Sequence, residues 1–343
     1  MTFLPRTTGK LPSKSQLEIF REFEQHNGKK FVNRHNAYPM PTDMGKVMKG
    51  FVSKPKSTEP STPLPNSFTD LKNFGYYQTR ITWFGHSSYL IQSNGVNLLI
   101  DPVMSGYASP FSFMIKAFKG SDVYQVADLP PIDILVLTHD HYDHMDYKTL
   151  LAIKQQVKQV ICPVGVGAHL QFWGYNAQTI TELYWYQSYS PIKDICFTAT
   201  PAQHMSGRAF KPQQSLWASF VLELFGEKIF IGGDSGYNNH FVEIGERFGP
   251  FDLVILENGQ YNDLWPVVHT RPYETAQAAI DLQAKAILPV HWAKFALSFH
   301  PWKEPIEQLI HFNQDRIPIH TPLIGESIHL GHVERLSRWW EQA

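Results

Sequence analysis

The sequence contains few cysteines, no excess of charge and no long apolar run. Its 343 residues include only Cys162 and Cys196, which form no Cys-x-x-Cys motif. We expect two buried thiols rather than a disulfide framework, a cysteine-based metal site or a redox pair. Thirty basic and 31 acidic residues give a net charge of -1, which argues against nucleic acid as a partner. Nothing in the sequence indicates an oligomeric state.

No stretch of 18 apolar residues occurs, and the N-terminus lacks the apolar core of a signal peptide. These absences argue against a membrane-spanning helix and against secretion. We therefore expect a cytoplasmic protein. Peripheral membrane contact stays open as an alternative, because Trp, Tyr and Phe make up 14% of the chain and suit both cores and lipid interfaces.

Two regions of different composition divide the chain. Residues 1–77 contain one predicted helix (15–26), the segment MGKVMKGFV (44–52) and a Pro/Ser/Thr-rich stretch (53–67) typical of an extended linker. We interpret this region as an irregular N-terminal extension that packs on the core. For MGKVMKGFV we favour packing over lipid contact, the alternative that its apolar side chains leave open. Residues 78–343 form the predicted main domain.

From Arg80 onward, short apolar strands come first and strand–loop–helix units follow. The runs ITWFG, SYLIQ and VNLLID are predicted as adjacent strands, and later runs such as PIDILVL and DLVILE lead into helices. Because this sequence of elements occurs twice, we expect an α/β fold with two sheets, each covered by helices on its outer face. The predicted helices lie near residues 146–157, 165–173, 239–248 and 272–284.

The run THDHYDH (138–144) follows the predicted buried strand PIDILVL. Its spacing, His-x-His-x-Asp-His, combines imidazoles and carboxylates, which divalent metals accept as ligands. The alternation lets successive side chains diverge towards two ions, so the motif predicts a dinuclear metal site. A histidine-rich surface loop is the alternative, but such a loop has no reason to carry this pattern at the end of a buried strand.

Three later residues supply what this motif lacks. His204, Asp234 and His291 each follow a predicted strand. Singly, each has an ordinary structural explanation, such as a turn-forming aspartate or a hydrogen-bonded buried histidine. Together with THDHYDH they form a complete ligand series for two metals, which makes coincidence a poor explanation.

At this point the chain resembles the metallo-β-lactamase superfamily. Within it, the chain is similar to the N-acyl-phosphatidylethanolamine-hydrolysing phospholipase D group and its bacterial relatives. The resemblance rests on ITWFGHSSYLIQ, ADLPPIDILVLTHDHYDHMDY, IFIGGDSGYN and PVHWAKFALSFHPWKEP, and it extends from about Arg80 to Pro305, with a weaker match at KKFVN (29–33). It implies a four-layer αββα sandwich preceded by the irregular extension.

The resemblance also implies ligands for two divalent ions, with zinc expected and manganese or iron as alternatives. The implied ligands of the first ion are His139, His141 and His204. Those of the second ion are Asp143, His144 and His291. The residue implied to bind both ions is Asp234.

A metal-bridging hydroxide would then attack a phosphodiester in a small-molecule or phospholipid-like substrate, with Asp143 and Asp234 as the catalytic carboxylates. A lactonase acting on a sugar or acyl lactone is the alternative. A non-catalytic scaffold is disfavoured, because no ligand is missing.

Three further residues are candidates for supporting roles. Asp101 is predicted to orient a ligand imidazole, and His86 lies in a family signature close to the site. For both, a purely structural role is the alternative. His269 matches a histidine of the resembled group and is predicted to meet the substrate head group. Arg271 stands where that group usually has a helix-capping Asp. This departure bears on the local geometry beside His269 and on the preference for a head group.

The loop SPFSFMIKAFKG (109–120) is unusually apolar for a connection between strands. We predict that its Phe, Met and Ile side chains line a groove for an acyl chain. Packing of these side chains as a cap on the core is the alternative.

Overall fold

The structure is a computed structural model that describes residues 5–34, 43–75, 78–208, 211–332 and 336–343. Within these residues, two large sheets pack face to face and helices cover the outer face of each sheet. The predicted α/β four-layer sandwich is therefore confirmed. None of the helices in the described ranges is both long and apolar enough to cross a bilayer.

The strands in chain order are β1 (Arg80–Trp83), β2 (Tyr89–Ser93), β3 (Val96–Ile100), β4 (Ile132–Val136), β5 (Val157–Pro163), β6 (Ile180–Leu183), β7 (Ser188–Ile192), β8 (Ile195–Thr200), β9 (Gly207–Arg208), β10 (Lys211–Pro212), β11 (Ser219–Leu224), β12 (Glu227–Ile231), β13 (Leu253–Glu257), β14 (Ile287–Val290) and β15 (Ser327–His329). The α-helices are α1 (Lys14–Phe20), α2 (Met44–Val52), α3 (Tyr147–Ile153), α4 (Gly167–Phe172), α5 (His240–Phe248), α6 (Pro272–Asp281) and α7 (Glu304–Asn313).

The first sheet has the strand order β15-β1-β2-β3-β4-β5-β6, and β3 to β6 are parallel. The second sheet has the order β14-β13-β12-β11-β8-β7, and β12 to β14 are parallel. The remaining pairs in both sheets are antiparallel. In each half, hairpin strands thus come before parallel strands, as the sequence predicts.

Strand β4 illustrates why the strands that lead into the site are apolar on both faces. Ile134 and Val136 point into the core between the two sheets. Leu135 points to the opposite face, where it belongs to the buried cluster that contains Leu150 of α3. Because side chains alternate between the faces of a strand, a sheet buried on both faces needs a nearly continuous apolar run.

The N-terminal extension packs on the central core through several buried side chains. Phe20, Phe31 and Leu64 belong to the same buried cluster as the inner faces of both sheets. The predicted helix over 15–26 ends at Phe20, where α1 gives way to turns. The stretch predicted as an extended linker is instead fastened to the domain, since the backbone N–H of Leu64 donates to the Lys119 carbonyl. The segments 1–4, 35–42 and 76–77 of the predicted extension lie outside the described residues.

The segment MGKVMKGFV forms helix α2. Phe51 packs edge-on against Phe299, with 5.2 Å between the ring centroids. Met48 and Val52 remain 59% and 85% exposed. Packing on the domain therefore accounts for Phe51, whereas the outer face of this helix presents apolar side chains to solvent.

Different residues of the apolar loop 109–120 match the two roles considered for it, which are to cap the core and to line a groove. Phe118 is buried in the central core, and Ile115 packs on a small cluster that contains Phe295. Phe113 and Met114 are 73% and 45% exposed. One end of the loop caps the core, and its tip is free to meet an apolar ligand.

Candidate metal centre

The predicted metal ligands lie on loops at the carboxyl ends of strands from both sheets. THDHYDH follows β4, and His204 follows β8. Asp234 and His291 follow β12 and β14. The two sheets face each other, so their strand ends bring these four loops to one edge of the sandwich. The side chains meet there and form two largely buried groups of metal-ligand type, and Asp234 and His291 also belong to a third group with Glu257 and His269.

The first group consists of His139, His141, His204 and Asp234. His141 Nδ1 lies 3.0 Å from His139 Nε2 and 3.2 Å from His204 Nε2. A tetrahedral ion with metal–nitrogen bonds of about 2.0–2.1 Å holds its ligand atoms about 3.3 Å apart. The three nitrogens therefore converge at a spacing that fits one zinc-sized ion. Asp234 Oδ2 lies 3.7 Å from both His139 Nε2 and His204 Nε2.

A contact on the far side of the ring orients His204 of this group, and a similar contact orients His144 of the second group. His204 Nδ1 lies 2.8 Å from the Val268 carbonyl oxygen, which can only accept a hydrogen bond. The proton is therefore on Nδ1, and Nε2 keeps a free lone pair facing the cluster. His144 Nδ1 likewise lies 2.8 Å from Asp101 Oδ2. This arrangement is typical of metal-binding histidines.

The second group consists of His86, Asp143, His144 and His291. Asp143 Oδ2 lies 2.9 Å from His86 Nε2 and 3.4 Å from His144 Nε2. His291 Nδ1 is 3.0 Å from the Ser87 hydroxyl oxygen. All four side chains are buried, so this group too is shielded from bulk water.

Asp234 lies between the two groups and faces both. Its Oδ2 atom, 3.7 Å from two imidazoles of the first group, is also 3.1 Å from His144 Nε2 of the second group, and its Oδ1 atom is 3.1 Å from His291 Nδ1. Oδ1 of Asp234, Nε2 of His144 and Nε2 of His291 are buried and make no hydrogen bond within the described residues. A buried polar atom without a partner is costly. A bound cation at these atoms would remove that cost, so the donor set fits a metal.

The electrostatics of the cluster suit metal binding. Burial holds the pKa of His139 and of His204 well below the usual histidine range, which keeps the imidazoles neutral. Burial opposes ionisation of Asp234, but His144 and His291 outweigh it and hold the pKa of this carboxyl well below its usual range. Burial likewise lowers the pKa of His144, but the neighbouring carboxylates of Asp234 and Asp143 outweigh burial and raise it well above the usual histidine range, so this imidazole must lose its proton when a metal binds. Neutral imidazole and ionised carboxylate are the forms that bind a metal.

Comparison with known proteins agrees with this geometry. Residues 96–292, more than half of the chain, match the Beta-lactamase superfamily domain. The chain belongs to this family. It is a metal-dependent hydrolase with candidate metal-binding His/Asp groups.

The relatives of this hydrolase include a mycobacterial protein and two phospholipases. It is 35% identical to an uncharacterised protein of Mycobacterium tuberculosis over 84% of this chain and 79% of that protein. It is 34% identical to the mitochondrial N-acyl-phosphatidylethanolamine-hydrolyzing phospholipase D of Saccharomyces cerevisiae, over 66% of this chain and 50% of the yeast protein. The corresponding phospholipase D 1 of Caenorhabditis elegans is 30% identical, over 63% of this chain and 64% of the worm protein.

Among solved structures, a metallo hydrolase of the archaeon Ignicoccus hospitalis superimposes with a TM-score of 0.58. It is 15% identical and covers 75% of this chain and 100% of its own. At that identity the similarity supports the fold of the hydrolase and not its substrate.

The structure also brings the three predicted supporting residues to the site. Asp101 accepts hydrogen bonds from the Thr138 N–H and hydroxyl, at 2.9 and 2.6 Å, while it contacts His144. His86 contacts the carboxylate of Asp143, a predicted ligand, directly. His269 stacks on His291, with 5.1 Å between the ring centroids.

The partner of His269 is Glu257, a residue that sequence reasoning missed. Glu257 Oε2 lies 2.7 Å from His269 Nδ1, and Oε1 accepts the Thr270 N–H at 2.7 Å. Burial lowers the pKa of His269, but the carboxylate of Glu257 outweighs burial and raises it. The sequence feature that could have indicated Glu257 is its position as the acidic residue at the end of the apolar strand DLVILE, which matches the position of Asp101 at the end of VNLLID.

Asp140, inside the motif but without a predicted role, supports the loop from behind. It accepts the Gly207 N–H at 2.8 Å and the Ser215 hydroxyl at 2.8 Å. His169 Nε2 lies 3.4 Å from its Oδ2 atom. Asp140 therefore faces away from the two metal-ligand groups and joins the motif to the chain that follows His204.

A cleft of about 200 Å³ opens over the cluster. It is lined by five of the predicted ligands, His141, Asp143, His204, Asp234 and His291, and by other side chains that include Gln260, Trp265, Val268, His269 and Leu297. The walls combine apolar and polar side chains, so the cleft can hold a polar group over the predicted ligands beside an apolar substituent.

Proposed function

We propose that this hydrolase cleaves a phosphodiester in an anionic amphiphile of the N-acyl-phosphatidylethanolamine type and uses two divalent ions, with zinc as the first choice. The observation that carries the proposal is Asp234, whose carboxylate lies between the two groups. Its Oδ2 atom is 3.7 Å from His139 and His204 of the first group, and its two oxygens are 3.1 Å from His144 and His291 of the second. The two phospholipase D relatives, at 30% and 34% identity, support this substrate class.

In this proposal, which follows the resemblance, the first ion would be held by His139, His141 and His204. The second would be held by Asp143, His144 and His291, and Asp234 would contribute to both. His86, which also lies in the second group, would act through its contact with Asp143. When bound, the ions would supply an activated water at neutral pH and positive charge for the phosphate oxygens. Asp143 and Asp234 contribute the negative charge that holds the ions. His269 stands at the wall of the cleft, where its Nε2 can meet a polar group of the substrate.

A groove of mixed apolar and polar lining beside the cleft favours an amphiphile. The groove has a volume of about 830 Å³, and its lining includes Phe51, Phe113, Met114, Lys54 and Lys119. Only a short segment separates the two spaces, since Ala296 lines the groove and Leu297 lines the cleft. We infer that the phosphodiester lies in the cleft and an acyl chain in the groove, with the lysines near lipid phosphates.

The test combines metal analysis with three substrates: N-acyl-phosphatidylethanolamine in mixed micelles, a bis-aryl phosphodiester and a lactone panel. His139→Ala and Asp234→Ala should lower bound metal and reduce phosphodiester hydrolysis at least about 100-fold, because both lie in the metal-binding shell. His332→Ala, which changes an exposed histidine, should behave as wild type. Hydrolysis of lactones alone, or full phosphodiesterase activity after complete metal removal, would refute the proposal.

A further inference from the structure

We propose that the N-terminal extension is part of the metal centre, with Asn33 as a positioning residue for His204 and Arg208 as the link between the extension and the THDHYDH loop. This inference rests on the proposed metal ligands and is independent of the substrate. Its basis is a set of contacts that the segment 5–34 makes with the backbone on either side of the ligands.

Asn33 holds the backbone of His204 at both ends. Its Nδ2 donates to the His204 carbonyl at 2.9 Å, and its Oδ1 accepts the His204 N–H at 3.1 Å. The indole N–H of Trp217 lies 3.2 Å from the same Oδ1 atom and fixes the orientation of the amide. With its imidazole hydrogen-bonded to Val268, His204 is therefore held on both backbone and side chain.

Arg208 connects the extension to the other ligand loop. Its Nη1 donates to the carbonyls of Asp140 and Met145, both at 2.9 Å, and these residues bracket three of the predicted ligands. Its Nε and Nη2 donate to the Thr7 carbonyl at 3.1 and 2.7 Å. The guanidinium is buried and lies 4.2 Å from the centroid of the Tyr142 ring. One buried side chain thus ties the loop to residue 7.

A third contact reaches the same loop by another route. The backbone N–H of Lys10 donates to His169 Nδ1 at 3.1 Å, and His169 Nε2 lies 3.4 Å from Asp140 Oδ2. Phe31 anchors the extension near Asn33, because its side chain is fully buried and its N–H donates to the Gln213 carbonyl. The extension is therefore fastened to the domain both near Asn33 and at Lys10.

These contacts touch the frame of the ligands and not the ligating atoms, which is the pattern expected of positioning. Metal sites need ligand atoms held within about 0.5 Å of their working positions. Loss of an outer contact of this kind lowers metal affinity by about 10–100-fold in other sites. Asn33 contributes two such contacts to one ligand, so its removal should fall in this range.

The experiment titrates cobalt(II) into the metal-free full-length protein against a competing chelator and records the visible absorption spectrum. Asn33→Ala should weaken binding of one cobalt ion by about 10–100-fold and change the spectrum, because the coordination geometry at His204 relaxes. Asn33→Asp, which retains the acceptor for the His204 N–H, should restore part of the affinity. Asn27→Ala is the matched control: Asn27 lies in the same extension, but its side chain accepts from the backbone of Lys29 and Lys30, so affinity and spectrum should remain unchanged.

A lower melting temperature in Asn33→Ala with wild-type cobalt affinity and spectrum would show a merely structural role and overturn the proposal, as would a wild-type protein that binds no cobalt. The proposed function fails by a different result. Wild-type protein that binds two cobalt ions but hydrolyses no phosphodiester would refute the substrate class and leave the role of Asn33 intact.

Discussion

Asp101 is the residue on which the orientation of His144 depends. Its Oδ2 atom contacts His144 Nδ1 and accepts the Thr138 hydroxyl, while Oδ1 accepts the Thr138 N–H. Both oxygens act as acceptors, so an amide at this position would direct an NH₂ group at a donor. Asp101→Asn should therefore weaken binding of the second proposed ion by about 10–100-fold and leave the first ion in place.

Competitive metal titration with counting of bound ions tests this prediction. Asp194→Asn provides a control, because Asp194 is exposed and lies in the turn between β7 and β8, away from the site. Equal loss of both ions would mean that Asp101 supports the whole loop and not one ligand. Unchanged binding would remove Asp101 from the site altogether.

The sequence predicts much of the site at the level of single residues. The motif spacing and the strand ends indicate His139, His204, Asp234 and His291, and the structure brings these side chains together. Their metal-binding role stays a prediction until metal is measured. Glu257 was not predicted, because its relation to His269 depends on how the chain returns across the end of β13, and no local pattern encodes that path.

The predicted helices illustrate the same limit for whole elements. All four helices predicted after Arg80 are present as α3 to α6, in shortened form. The predicted helix over 15–26 stops early because tertiary packing outweighs local propensity. Phe20 packs on Phe31 with 5.5 Å between the ring centroids, and His26 meets Phe31 edge-on. These contacts require the chain to turn back, which a continuous helix would prevent.

The junction between β6 and α4 provides a pH-dependent prediction. Glu182 on β6 accepts the backbone N–H groups of Gly165 and Gly167 at 2.7 and 2.9 Å, at the start of α4. Burial raises the pKa of this carboxyl above its usual 4.5, although the two N–H groups oppose the shift. The folded protein therefore takes up this proton more readily than the unfolded chain.

It follows that stability linked to Glu182 is fully present below about pH 4.5 and is lost as the pH rises through the raised folded-state value. Glu182→Gln keeps an acceptor for the two N–H groups and removes the charge. Its melting temperature should exceed that of wild type at pH 8 by on the order of 1–3 °C, and the difference should shrink towards pH 4. Thermal unfolding across this pH range measures the effect. A difference that stays constant with pH would contradict it.

At the scale of the whole molecule, the four-layer sandwich follows from the two-fold pattern of hairpin strands and strand–loop–helix units. What the sequence does not indicate is how the extension crosses the domain. Asn33 and Thr7 contact residues 171 and 201 positions away in the chain. Such pairings depend on the assembled shape of both sheets, so composition alone described the extension as irregular and missed its contacts with the site.

The same assembly places apolar side chains from distant segments around one groove. Phe51 of α2 and the tip of the 109–120 loop line it together with Lys54, Lys116 and Lys119, which outnumber the one acidic residue of the lining, Glu59. Aromatic and apolar side chains among lysines suit a surface of anionic lipid, because apolar groups enter the interface while lysines meet phosphates. This face therefore gives a prediction about membranes.

Phe113 and Met114 carry most of the exposed apolar surface at the tip of this loop. Full burial of such side chains contributes about 1.5–3 kcal/mol each, so partial burial in lipid should still add at least about 1.4 kcal/mol in total, or a factor of ten. Replacing both by Ser should reduce co-sedimentation with anionic phospholipid vesicles at least about 10-fold, while metal content and melting temperature stay near wild type.

Phe312→Ser on α7 is the control, because Phe312 is also partly exposed but packs on Tyr273 away from the groove. If the double variant and wild type sediment equally, the loop serves to cap the core through Phe118, and the lipid would have to be reached through the outer face of α2.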